Sequence, residues 1–71
     1  MQLFQMLESS LDYLSKEEKA QVYQAFLLAE QAHAGQFRAS GEPYIVHPIA
    51  VTRILAGMHL DYKSLIVALL H

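Results

Sequence analysis

No cysteine occurs in the 71 residues. That excludes a disulfide scaffold and a thiolate zinc site, and it agrees with a reducing compartment. Glycine and proline are scarce, at 3 and 2, so repetitive and low-complexity classes are excluded. There is no block of Lys or Arg, and five basic residues against seven acidic ones leave a net charge of −2. Non-specific binding to nucleic acid or to an anionic membrane therefore lacks its electrostatic footprint. The longest purely apolar run, Leu65 to Leu70, is far short of the ~20 residues that cross a bilayer. Met1 to Gln5 carries neither the basic stretch nor the apolar core of a signal peptide. These absences predict a soluble, cytoplasmic protein.

What is present is apolar surface: 54% hydrophobic residues against 17% charged ones. That share offsets chain entropy and excludes a disordered tail. The pattern predicts an all-α fold of four helices, over about 2–14, 16–34, 48–58 and 62–71. Leu3, Met6, Leu7, Leu11 and Leu14 recur at spacings of three and four in the first. Ser15 and Glu18 form a capping-box pattern that starts the second. Val22, Phe26, Ala29 and His33 form its apolar stripe, with Gly35 as its stop. Arg38 to Tyr44 reads as a polar loop, and Tyr44 to Val46 as extended chain. Pro48 suits the first position of the third helix, and Ile49, Ile54, Leu55 and Met58 supply its apolar face. Asp61 is a good cap for the fourth. The run Leu65 to Leu70 has no polar side, which predicts a helix buried all round. So much apolar surface, on a helix too short to stand alone, predicts that the chain is truncated at His71.

Four histidines need sorting. His59 falls in a helix–helix turn, where exposure is the expectation, and His33 on an apolar stripe, where a core or interface role is. His47 and His71 stand at opposite ends of adjacent helices. A short connection makes those helices antiparallel neighbours, each roughly 15 Å long. His47 and His71 then share one pole, together with the Arg38 loop. Two imidazoles make an incomplete metal site or simply two helix-end histidines, and spacing leaves both readings open. An imidazole-plus-carboxylate set would suit Mn, Fe or Zn.

The stretch Ala32 to Pro48, with its His-Ala-Gly-Gln-Phe-Arg-Ala-Ser-Gly-Glu-Pro-Tyr-Ile-Val-His-Pro wording, resembles the start of the hydrolase domain in RelA/SpoT homologues. So does Ile54 to Asp61, followed by Ala68-Leu69-Leu70-His71. The wording is most similar to that of bacterial SpoT-like bifunctional synthetase/hydrolases. The resemblance implies an all-helical HD-superfamily domain, here its N-terminal part over residues 1–71, cut within the His-Asp motif. It implies a Mn²⁺-dependent 3′-pyrophosphohydrolase acting on (p)ppGpp, the stringent-response alarmone. His47 would be the first metal ligand and His71 the histidine of the His-Asp pair. Arg38 would pack on the guanine base, Ser40 lie beside the nucleotide, and Tyr44 line the same loop. Position 39, often Lys in the family, is Ala39 here, which puts one nucleotide contact in doubt. Catalytic acids are expected downstream of His71, so the 71 residues alone are expected to lack hydrolase activity. The alternative is a helical module that self-associates through its apolar fourth helix.

Overall fold

The computed structural model describes residues 3–71. Four helices follow in order: α1 (Gln5–Glu8), α2 (Lys16–Ala32), α3 (Val46–Gly57) and α4 (Tyr62–Leu70), with a 3-10 turn at Ser9–Leu11. Among the described residues no strand forms; the nearest approach is a single antiparallel bridge between Phe37 and Pro43. The fold is all-helical, as the pattern predicts.

α2 begins where the capping box requires. Ser15 is extended, its Oγ accepts the Glu18 N–H at 3.2 Å, and the Glu18 carboxylate accepts the Ser15 N–H at 2.9 Å. Such a cap contributes about 1 kcal/mol, and Glu17 and Glu18 lie at the positive end of the helix dipole. Val22, Ala25, Phe26 and Ala29 form the buried stripe. The helix ends at Ala32, two residues short of expectation, and Gly35 takes the predicted left-handed turn at φ 77°.

The first helix departs from expectation. Instead of one helix over 2–14, α1 stops at Glu8 and tightens into the 3-10 turn; Gln2 lies outside the described residues. Ser9 and Ser10 are weak helix formers, because their hydroxyls compete for backbone partners. Past Leu11 the chain turns so that the Tyr13 hydroxyl donates to the Leu60 carbonyl. Phe4, Leu7 and Leu11 are buried, and the Phe4 ring meets Tyr23 edge-on at 4.8 Å and Phe26 at 5.2 Å.

α3 starts at Val46, two residues earlier than expected, because Ile45 is buried and anchors the first turn. Pro48 therefore occupies the third helical position, still within the turn whose N–H groups need no helical partner. Tyr44 to Val46 is accordingly no extended segment: Val46 N–H donates to Pro43 and His47 N–H to Tyr44, winding the chain into the helix. The apolar face also differs. Pro48, Ile49, Thr52 and Ala56 are buried, whereas Ile54 and Met58 are exposed. Thr52 enters the core because its hydroxyl donates to the Pro48 carbonyl at 2.7 Å.

α3 closes in a Schellman motif. Leu60 N–H donates to Leu55 and His59 N–H to Ala56, with His59 left-handed at φ 55°. The chain then reverses into α4, which packs against both α2 and α3, while α1 packs on α3. Asp61 sits at the cap position but accepts the Ser64 hydroxyl instead of a backbone N–H. Leu65 and Leu69 are fully buried, yet Val67 and Leu70 are exposed. α4 is thus buried on one side only: nothing among the described residues covers the other.

Candidate functional site

The polar loop is a closed structure. Gln36 accepts the Tyr44 N–H at 2.9 Å, Glu42 accepts the Arg38 N–H at 2.8 Å, and Arg38 accepts the Gly41 N–H at 2.8 Å. Gly41 sits at φ 89°, a left-handed position that favours glycine. The loop leaves α2 at His33 and delivers Tyr44 directly to the first turn of α3.

α3 and α4 run antiparallel with a groove of about 500 Å³ between them. Tyr44, His47 and Pro48 line it at the end where His71 stands, and Val51 faces Val67 and Ala68 along its middle. Leu55 and Ser64 close the far end. The short Schellman connection forces this register, since it leaves no chain with which to offset the two helices. Of the five candidate residues, Tyr44, His47 and His71 are brought to this one groove. Arg38 and Ser40 are not on its wall; both are exposed on the loop that precedes α3. No ion pair engages Arg38 among the described residues, so its guanidinium is available to a ligand.

The remaining histidines lie elsewhere. His59 is exposed, as expected, and stacks on Tyr13 with ring centroids 4.4 Å apart. His33 is not a core residue: it caps the C-terminus of α2, half-buried, with its ring 4.5 Å from that of Tyr44. Ser64 was not anticipated as a groove residue, although it lies two turns before His71 on the same helix, a spacing that the sequence contains. Among the described residues no group of three or more His, Cys, Asp or Glu is placed to hold a metal ion. Two neutral imidazoles suit a divalent transition metal, and they supply only part of a complete donor set.

The arrangement is therefore two imidazoles on the wall of a largely apolar groove, with an exposed guanidinium on the loop that leads into α3. The HD domain family matches residues 25–71, which takes in α3, α4 and the loop with all five candidate residues. The chain belongs to the HD domain family. Among individual relatives, this HD domain chain is 51% identical along its whole length to the bifunctional (p)ppGpp synthase/hydrolase SpoT of Escherichia coli strain K12, of which it covers 10%. It is 49% identical, again along its whole length and to 10% of the relative, to the guanosine-3′,5′-bis(diphosphate) 3′-pyrophosphohydrolase of Vibrio cholerae. The protein of the same name from Borreliella burgdorferi is 49% identical over 83% of the chain and 9% of its own length. The HD domain chain thus spans about a tenth of the curated relatives it matches.

Proposed function

We propose that this HD domain chain contributes the nucleotide-facing and metal-facing residues of a guanosine-3′,5′-bis(diphosphate) 3′-pyrophosphohydrolase, an enzyme that degrades (p)ppGpp. The observation that carries the reading is the meeting of Tyr44, His47 and His71 on one groove, in a chain about half identical to proteins bearing that name. His47 and His71 would hold a divalent metal, Mn²⁺ in our reading, through their ring nitrogens. Such an ion, when bound, lowers the pKa of water and polarises the pyrophosphate. Arg38 lays its planar cation on the guanine face, Ser40 donates from the loop, and the Tyr44 ring walls the base from the groove. Release of the 3′-diphosphate by water requires an acidic group to take the proton, and the groove lining contains none. Mn²⁺ also prefers oxygen donors, so two imidazoles hold it weakly, and the 71 residues alone do not hydrolyse. The same reading puts the protein in the cytoplasm, and its net charge of −2 disfavours a nucleic-acid or anionic-membrane partner.

The test uses the paramagnetism of Mn²⁺. Substoichiometric Mn²⁺ should broaden the imidazole NMR signals of His47 and His71 first and that of His59, at the opposite end of α3, last, and ppGpp should bind more tightly than GDP. Equal broadening of His59 and His47, or equal affinity for the two nucleotides, would overturn the reading.

A second reading rests on the open side of α4, where Val67 is 65% and Leu70 48% exposed. A chain that self-associates through this face is a helical interaction module without catalysis. Light scattering across a concentration series separates the two, since a strict monomer that binds ppGpp excludes the second.

A further inference from the structure

We infer that His33 is a positioning residue for Tyr44 and, through it, for the nucleotide at the α3/α4 groove; the inference rests on the nucleotide reading proposed above. Three contacts converge. The His33 backbone is fixed as the C-cap of α2, its N–H donating to Ala29 at 3.0 Å and its carbonyl accepting the Gln36 N–H at 3.0 Å. Its Nδ1 lies 2.9 Å from the Gln36 carboxamide oxygen. An oxygen there only accepts, so Nδ1 carries the hydrogen and the bond sets the plane of the ring. The ring then packs against Tyr44, with centroids 4.5 Å apart and an interplanar angle of 36°.

Gln36 completes the clasp from the other side. Its main-chain carbonyl accepts the Tyr44 N–H at 2.9 Å, so one residue holds the His33 ring with its side chain and the Tyr44 backbone with its main chain. Tyr44 is 39% exposed, which is little burial to hold an aromatic side chain in one rotamer. One part of its surface meets His33 and another lines the groove beside His47. Removing the imidazole leaves the phenol free to swing between staggered wells, and a wall residue that samples several positions holds a ligand less well. His33 does not itself line the groove. Its effect must therefore pass through Tyr44, which separates positioning from direct contact.

The test is a double-mutant cycle on the 71-residue chain, read as the dissociation constant for ppGpp, with far-UV circular dichroism to verify folding. His33→Ala should weaken binding roughly three- to tenfold, the scale of one aromatic pair. His33→Phe, which keeps the ring and loses only the Gln36 bond, should restore most of it. His33→Ala in a Tyr44→Ala background should weaken binding no further. If His33→Ala fails to fold, Gln36→Ala takes its place, with a smaller weakening that also vanishes in the Tyr44→Ala background. Wild-type affinity in His33→Ala, or full additivity with Tyr44→Ala, overturns the positioning role while leaving the nucleotide reading intact. A wild-type chain that binds no ppGpp overturns the nucleotide reading, and this inference with it.

Discussion

Leu65 and Val67 sit two residues apart on α4, one with no exposed surface and the other 65% exposed. Leu65→Ala deletes three carbons from a dry site. At ~0.8 kcal/mol per buried carbon that is about 2.4 kcal/mol of lost transfer energy, and the void left behind raises the loss to about 3 kcal/mol. A chain of this length has roughly 4–10 kcal/mol of folding stability. Leu65→Ala should therefore remove a third of it or more, lowering the thermal midpoint by roughly 12–24 °C. Val67→Ala deletes two carbons that are only a third covered, so its loss is about 0.5 kcal/mol. Urea denaturation followed by circular dichroism measures both, and the slope with urea should be the same in the two variants. Equal destabilisation by the two substitutions would refute the reasoning, because Val67 would then have to be buried, in a self-associated form or in a different packing of α4.

Three further predictions follow from the geometry. At position 59 the left-handed backbone disfavours any side chain by about 1–2 kcal/mol, so His59→Gly should be more stable than His59→Ala in the same urea assay; both lose the stack on Tyr13, and the reverse order would deny the positive φ. Burial, with the nearby charges of Asp61 and Glu18, pushes the Tyr13 phenol above its ordinary value of 10.0. The folded state thus holds that proton more tightly, so its contribution to stability is complete below pH 10 and fades as pH rises through the raised value. An ultraviolet pH titration should show one late-ionising tyrosine that disappears in Tyr13→Phe. Arg38→Ala should weaken ppGpp binding about tenfold yet change stability by less than about 0.5 kcal/mol, since its side chain is exposed and unpaired among the described residues; a comparable loss of both would mean that the guanidinium is structural.

The parts of the fold governed by local chemistry were legible in the sequence. Ser15 and Glu18 announced α2, Gly35 its end, and the short link at Met58–Asp61 the antiparallel pairing that brings His47 and His71 to one groove. What misled was hydrophobicity read without periodicity. Ile54 and Met58 are more apolar than Thr52 and Ala56, yet the latter pair lies in register with Ile45 and Ile49. A threonine can be buried there because a backbone carbonyl four residues earlier satisfies its hydroxyl. The break after Glu8 has a local signal in Ser9 and Ser10, but the contact of Tyr13 with Leu60 beyond it spans 47 residues of chain and has none. His33 fell on the apolar stripe of α2, and only the return of the loop at Tyr44 gives it its neighbour. Arg38 and Ser40 lie on the polar loop that the sequence predicts, off the wall of the groove.

The pairing of Gln36 with Tyr44 closes the loop at its base. The tips, Arg38 to Glu42, are bonded to one another and not to the helices beneath. The segment is in this sense a cassette, bonded within itself and joined to the helices only at its base, while His47 stands in the first turn of α3. Under the proposed function, the groups that face the nucleotide on the loop and the histidines that would hold the metal on α3 and α4 then belong to separate pieces of backbone.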